Sequence, residues 1–202
     1  EGERVTFLEI KESKITDNVA WCVSSQHHQL TDAGTGKVLW WFETKEVDNR
    51  VGIPAISADG KKFVFLARHS NQPTKDVFGA EIFDVCSRRW ERAFQVQPDQ
   101  LSGKIFSGVQ FTPDGKQLVV GGWSKLRFYD AASGKQLREL APSKDLYVFA
   151  VSQHHVAVGG KKGVVIADLK SGDVLKEIRN REDRPIETTH FSPDGKWLVY
   201  YV

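Results

Sequence analysis

The sequence predicts an all-β fold: a β-propeller of four-stranded antiparallel blades, with about five blades' worth of chain. Three observations predict it. One turn motif recurs with a period of about 40 residues, a second turn motif follows it in the repeats, and segments of strand length separate the two. Four short strands in a repeat of this length indicate a propeller among the repeat architectures. We therefore expect residues 1–202 to form a single propeller domain or a fragment of one.

The first turn motif is Phe-Thr-Pro-Asp-Gly-Lys at 111–116, which returns 80 residues later as Phe-Ser-Pro-Asp-Gly-Lys at 191–196. A weaker copy, Ile-Ser-Ala-Asp-Gly-Lys, stands at 56–61, and a shorter one, Val-Ser-Gln-His-His, at 151–155. Proline presets φ for the second position of a type I turn, aspartate suits the next position, and glycine accepts the left-handed conformation beyond it. The motif therefore predicts a tight hairpin.

The second turn motif is Asp-Ala-Ala-Ser-Gly-Lys at 130–135, and Asp-Leu-Lys-Ser-Gly-Asp follows 38 residues later at 168–173. Residues 32–37 match it well and residues 84–89 more loosely. The aspartate side chain can accept backbone amide hydrogen bonds two residues on, and glycine again supplies a positive φ. This motif predicts a second, different hairpin in each repeat.

The segments between the turns have strand length and show no helical periodicity. In the third repeat they predict strands near 105–112, 117–122, 125–130 and 135–140. Two of the segments, Leu-Val-Val at 118–120 and Val-Val-Ile at 164–166, are apolar at consecutive positions. Apolar side chains on both faces of such a strand must be buried, and blades packed face to face bury them. A β-sandwich would not repeat the two turn motifs in a fixed order.

The second repeat is enlarged. Asp32 and Asp84 are 52 residues apart, and Asp84 and Asp130 are 46 apart, so we expect insertions near 69–76 and 95–104. Loops on a rigid framework are where binding specificity is usually carried.

The first repeat permits two registers. Residues 21–28 resemble 149–155, which makes them a first strand and its turn. Asp32 then follows His28 after only 4 residues, so about nine residues, one strand and its turn, are expected to be missing. The rival register makes 4–10 the inner strand and 18–25 the second.

Under the first of these registers both ends of the chain fall within a blade, and residues 191–202 supply only two strands of a last blade. The chain is then either a five-bladed ring with a thin closing blade or part of a larger propeller, for example a seven-bladed one, and we favour the second. The sequence has no methionine, which indicates a processed chain or a fragment.

The phrase Gly-Gly-Trp-Ser-Lys-Leu-Arg-Phe-Tyr-Asp at 121–130, followed by Ser133-Gly134-Lys135 and Leu137, resembles the WD-repeat family over its second to fourth strands. The chain resembles a divergent member, because Tyr129-Asp130 stands where that family has Trp-Asp. The resemblance implies a non-catalytic scaffold that binds a protein or peptide on its loop face.

An enzymatic alternative comes from two other resemblances. Residues 30–40 look like the repeat of quinone-cofactor dehydrogenases, in which a tryptophan docks between blades, although the equivalent segments place Arg138 and Lys176 there. The Pro-Asp-Gly-Lys turns also look like those of Tol-type propellers and of propellers fused to prolyl peptidases. The alternative function is thus the propeller of an enzyme: a diverged quinoprotein or the lid of a hydrolase. Because no catalytic sequence motif occurs, we expect neither catalysis nor a cofactor.

Composition limits the partners. The net charge is +2 with acids and bases interspersed, which argues against nucleic-acid binding. No segment has the length of a membrane span. We expect Cys22 and Cys86 to be packing residues, because neither has ligand spacing. We expect no metal site, because the adjacent histidines at 27–28 and 154–155 would point to opposite faces of a strand and could not easily bind one ion together. A cytoplasmic location is favoured, although a cleaved signal peptide would leave no trace.

Five residues in predicted loops on one rim are the candidates for partner binding. Trp123 lies in a two-residue connection that would expose it, as an interface anchor or as a flat packing cover, and exposed aromatic residues are enriched at binding hot spots. The other four carry charge or can carry it: Arg50, His69, Lys161 and Arg181.

Overall fold

A computed structural model describes residues 19–23, 27–32, 34–43, 54–69, 77–97, 107–122, 124–180 and 184–202. Within these ranges all regular secondary structure is β-strand, and no helix is present. The strands are β1 (Val19–Val23), β2 (His27–Asp32), β3 (Val38–Glu43), β4 (Ala55–Ile56), β5 (Lys62–His69), β6 (Val77–Asp84), β7 (Arg89–Val96), β8 (Gly108–Phe111), β9 (Gln117–Gly121), β10 (Leu126–Asp130), β11 (Gln136–Leu140), β12 (Val148–Val151), β13 (His155–Gly160), β14 (Gly163–Asp168), β15 (Val174–Arg179), β16 (Thr188–Phe191) and β17 (Leu198–Tyr201).

The described strands form antiparallel sheets in which each strand pairs with its neighbours in the chain. Sheet A contains β1 to β3, sheet B β4 to β7, sheet C β8 to β11, sheet D β12 to β15, and sheet E β16 and β17. Sheets B, C and D each have four strands, as the repeat predicts, and the strands of sheet C fall where the sequence places them. The all-β fold with four-stranded antiparallel blades is therefore confirmed.

Sheets B to E pack face to face in chain order. Their first strands, β4, β8, β12 and β16, contact one another in succession. One apolar cluster joins sheets B and C, a second joins C and D, and a third joins D and E. Leu118 and Val120 belong to the first cluster and Val119 to the second, and none of the three is more than 1% exposed. The prediction that both faces of this strand are covered is confirmed.

The Asp-Gly hairpin between first and second strands has the same geometry in three sheets. In sheet C, the hydroxyl of Thr112 donates to the Asp114 carboxylate at 2.6 Å, and the amide of Lys116 donates to the same oxygen at 3.1 Å. Gly115 follows with φ +68°, which closes the turn without the strain that a side chain would bring. The copies at 57–61 and 192–196 repeat these bonds, so the motif explains all three turns.

The aspartate hairpin connects the third and fourth strands of sheets B, C and D. Asp130 accepts the amide of Ser133 at 2.6 Å, and Asp168 accepts the amide of Ser171 at 2.7 Å. The pairing of the third with the fourth strand shifts register at the two residues before the aspartate, which is a β-bulge in each of these sheets. The bulge and the aspartate together identify the turn between the third and fourth strands.

A β-bulge in sheet A shows which of the two registers the first repeat has. Its bulge lies between Leu30 and Thr31, directly before Asp32, so β2 and β3 are the third and fourth strands of a blade. β1 is then the second strand, as the rival register has it. The inner strand expected at 4–10 lies outside the described residues.

The register that made residues 21–28 a first strand and turn was therefore wrong, and so was the expected gap before Asp32. His28 lies within β2, which runs unbroken to Asp32. The error arose because the match to residues 149–155 was local in sequence, whereas the position of a strand is fixed by its partners across the sheet.

The antiparallel order places the connections on two opposite faces. The turn face carries both hairpin motifs. The connections from second to third strands and from each blade to the next begin and end on the loop face, at 23–27, 43–55, 69–77, 96–108, 121–126, 140–148, 160–163 and 179–188. Both expected insertions of the second repeat fall in loop-face connections, although most of their residues lie outside the described ranges.

One side-chain expectation is corrected here. Cys86, expected to pack in the core, is exposed in the turn after β6. The neighbouring residues favour a strand, but the second turn motif begins at Asp84, where β6 ends, and Cys86 therefore lies in the turn. The side chain of Cys22 lies outside the described residues.

Candidate partner-binding face

Of the five candidate residues, Lys161 is the one whose side chain the structure describes. Lys161 is exposed in the two-residue turn between β13 and β14. His69 is the last residue of β5, so its backbone lies on the same loop face, two sheets away. The His69 side chain and the candidates Arg50, Trp123 and Arg181 lie outside the described residues, and their roles stay predictions.

Close backbone packing shapes the turn that carries Lys161. Gly160 pairs with Gly163, which has φ +134°, and a Cβ added at Gly163 would overlap the carbonyl oxygen of Ile178. A Cβ at Gly160 would lie 2.5 Å from the carbonyl oxygen of Asp145. Because both glycines leave no room for a side chain, the turn is tight and presents Lys161 and Lys162 to solvent.

The chain after β15 folds back along this turn. The amide of Asn180 donates to the carbonyl of Lys162 at 3.0 Å, and the Asn180 side-chain amide donates to the carbonyl of Arg184 at 2.7 Å. The amide of Ile186 donates to Gly160 at 3.1 Å. Ile186 is 1% exposed and anchors the segment in the core between sheets D and E.

Three further exposed cations lie on the segments that these bonds join. Lys162 is in the same turn, and Arg179 and Arg184 flank the Asn180 bonds. Sequence reasoning did not single these three out. The signal was present as the Lys-Lys pair at 161–162 and the arginine-rich run at 179–184, but their adjacency depends on backbone bonds between two segments.

The aspartates of the turn face accept hydrogen bonds inside their own hairpins. Hydroxyl groups of Ser57, Thr112 and Ser192 each donate at 2.6 Å to the aspartate two residues later. These bonds hold the pKa of Asp59, Asp114 and Asp194 below its ordinary value.

The amides of Ser87 and Ser171 have the same effect in the other hairpin, where they lower the pKa of Asp84 and Asp168. A carboxylate with a lowered pKa is a poor proton donor near neutral pH. These aspartates are therefore suited to closing turns as anions.

Within the described part of the chain, no group of three or more His, Cys, Asp or Glu side chains is placed to hold a metal ion. His154 and His155 have ring centroids 6.4 Å apart and rings inclined at 81°. In the same described part, no helix has the length and apolar character to cross a membrane.

Comparison with known proteins finds a likeness in fold. No protein-family model matches the chain, and no curated protein matches it. Among solved structures, Kuenenia stuttgartiensis hydrazine synthase matches over 90% of this chain with a TM-score of 0.64 and 18% sequence identity. The chain spans about half of that structure's chain, 51% of its length. At this identity the match shows a shared fold alone.

Proposed function

We propose that the chain is a non-catalytic, WD-repeat-like scaffold that binds a protein or peptide on its loop face. The observation that carries the proposal is the difference between the two faces. On the turn face, the repeated aspartates form hydrogen bonds inside their own hairpins. On the loop face, the connections differ from sheet to sheet in length and residue type, and loops held by a rigid framework are where binding residues concentrate.

The packing between sheets supports this proposal because it makes the framework rigid. Gln110 of β8 donates to the carbonyl of Phe149 at 2.8 Å and accepts the amide of Val151 at 3.2 Å, which ties the inner strands of sheets C and D together. The Tyr129 hydroxyl accepts the amide of Gln97 at 3.2 Å and ties sheet C to the end of β7. A framework fixed before binding loses little entropy when it binds.

Cross-linking to an affinity-captured partner tests the proposal. The described residues include exposed lysines on both faces: Lys144, Lys161 and Lys162 on the loop face, and Lys37, Lys61, Lys116, Lys135, Lys170 and Lys196 on the turn face. We expect a stoichiometric partner whose cross-links, mapped by mass spectrometry, concentrate on the loop-face lysines. Cross-links confined to the turn face, or capture of no stoichiometric partner, would contradict the proposal.

The enzymatic alternative predicts different results. A diverged quinoprotein would show quinone absorbance in the purified protein, and a hydrolase lid would be captured with a catalytic domain. The name of the hydrazine synthase neighbour describes that protein, and at 18% identity it adds nothing to this alternative.

A further inference from the structure

The sequence contains Asp-Gly pairs at 59–60, 114–115 and 194–195. Each pair lies in the hairpin between the first and second strands of its sheet. An aspartate followed by glycine is prone to spontaneous rearrangement, because glycine has no side chain to keep its amide nitrogen away from the aspartate side chain. The Asp-Gly hairpins are therefore the parts of the chain most susceptible to this reaction.

The rearrangement joins the glycine nitrogen to the aspartate side chain. The nitrogen attacks the carboxyl carbon Cγ, a C–N bond forms, and the C–OH bond of the protonated carboxyl group breaks. The amide proton and the hydroxyl group leave together as water, and a cyclic succinimide remains. Water then opens the ring at one of its two carbonyl groups, which gives either aspartate or isoaspartate. The reaction needs a mobile carboxyl group and a glycine nitrogen that is free to approach it.

The folded hairpin of sheet C restrains both reacting groups. The amide of Gly115 donates to the carbonyl of Thr112 at 2.8 Å, which holds the nitrogen in the turn. Oδ1 of Asp114 accepts the Thr112 hydroxyl at 2.6 Å and the amide of Lys116 at 3.1 Å, so the carboxylate is anchored as an anion. The same hydroxyl accepts the amide of Gln117 at 3.1 Å, which fixes its position. A carboxylate anion reacts poorly with a nitrogen nucleophile, because its leaving oxygen carries no proton.

The same restraints recur in the hairpins of sheets B and E. The amides of Gly60 and Gly195 donate to the carbonyls of Ser57 and Ser192 at 2.9 Å and 2.8 Å. The hydroxyl groups of these two serines donate at 2.6 Å to the aspartate two residues later. The lysine that ends each motif donates its amide to the same oxygen at 3.1 Å. Each hairpin therefore restrains its own Asp-Gly pair through bonds that exist when the turn is closed.

We propose that Asp59, Asp114 and Asp194 are sites of spontaneous isomerisation to isoaspartate, and that the closed hairpin suppresses the reaction at each of them. The bond between hydroxyl and carboxylate is the restraint that the side chains supply, so its loss should free the carboxyl group. Isoaspartate lengthens the backbone of the turn by a CH₂ group, so a modified hairpin would lose the bonds that close it. The inference concerns the turn face and does not depend on a partner at the loop face.

Thr112→Val tests the inference in the full chain, because it removes the hydroxyl group and leaves the Asp-Gly pair at 114–115 in place. Thr112→Ser is the matched control, since it keeps a hydroxyl group at the same position. Both variants and the unaltered chain are incubated at neutral pH, folded in buffer and unfolded in urea. Isoaspartate is then quantified in the peptides that contain Asp59 and Asp114, by enzymatic methylation and by chromatographic retention. Circular dichroism verifies that each chain is folded in buffer.

We expect isoaspartate to form several-fold faster in urea than in buffer in the unaltered chain. In buffer, Thr112→Val should accelerate the reaction several-fold at Asp114 and leave Asp59 unchanged, whereas Thr112→Ser should match the unaltered chain at both positions. Equal rates in urea and in buffer would overturn the inference. An unchanged rate at Asp114 in Thr112→Val, or equal acceleration by Thr112→Ser, would overturn it too. An equal rise at Asp59 and Asp114 would also contradict it, because the effect would then come from opening of the whole chain.

Discussion

Gly134, in the aspartate hairpin of sheet C, lies against Phe94 on the fourth strand of sheet B. A Cβ added at Gly134 would stand 2.5 Å from Cγ of the Phe94 ring. The contact recurs one blade later, where a Cβ at Gly172 would stand 2.7 Å from Cδ2 of Leu140. In both pairs the glycine of a turn meets the fourth strand of the preceding sheet, so the hairpin motif also serves as a contact between blades.

We expect Gly134→Ala to destabilise the protein by about 2–5 kcal/mol. Its φ of +72° costs an L-residue about 1–2 kcal/mol, and the new methyl group must displace Phe94 at a further cost of about 1–3 kcal/mol. Gly115→Ala is the matched control, because it has φ +68° and open space around the Cβ position. Urea unfolding of both variants measures the difference. Equal losses would show that the close contact with Phe94 has no energetic weight.

Arg88 occupies the glycine position of the aspartate hairpin in sheet B. It is exposed and has φ +57°, the one positive φ at a non-glycine residue in the described chain. We expect Arg88→Gly to raise the free energy of unfolding by about 1 kcal/mol, because the left-handed strain is relieved. Arg89→Gly, one residue on in β7, should lower it instead, since glycine is unfavourable in a strand. Thermal unfolding of the two variants gives the sign, and a destabilised Arg88→Gly would contradict the prediction.

Gln110→Ala should weaken the contact between sheets C and D. Its side chain donates to the carbonyl of Phe149 and accepts the amide of Val151, and truncation to alanine leaves both groups without that partner in a partly buried place. We expect a loss of about 1–3 kcal/mol in urea unfolding. Gln117→Ala is the control on the neighbouring strand and should change stability by no more than about 0.5 kcal/mol. A similar loss in both would mean that the bridge itself contributes nothing.

The lowered pKa of Asp114 predicts that the free energy of unfolding depends on pH. The Thr112 hydroxyl lowers the pKa of Asp114 in the folded state, so its contribution is complete above the ordinary aspartate value near 4 and is lost as the pH falls through the folded pKa. We expect Asp114→Asn to flatten the decline of unfolding free energy below about pH 4, by no more than about 1 kcal/mol because the group is exposed.

Thr112→Val is the companion variant for this measurement. Removing the hydroxyl should raise the Asp114 pKa towards its ordinary value, which NMR titration of the carboxyl group follows directly. The double variant should lose less than the sum of the two single losses, because both remove the bond between the Thr112 hydroxyl and the Asp114 carboxylate. An unshifted Asp114 titration in Thr112→Val would contradict the assignment of the hydroxyl as the main cause.

The sequence by itself determined the blades and their hairpins. Both turn motifs act within six residues: Asp114 bonds to Thr112 and Lys116, and Asp130 bonds to Ser133. Because these bonds join residues close together in the chain, the sequence alone indicates where the turns lie. The strands of sheet C between the turns could therefore be predicted closely. The loop-face position of Lys161 followed from the same order of strands and turns.

Only the tertiary structure decided what depends on partners distant in the chain. The register of sheet A came from pairing across the sheet, and the similarity of residues 21–28 to 149–155 pointed to the wrong strand. The contact of Gly134 with Phe94 spans a whole repeat. The segment that lies beside the turn of Lys161 is set by the bonds of Asn180 and Ile186. Local rules fix turns through short-range hydrogen bonds, whereas packing joins segments whose proximity no single motif encodes.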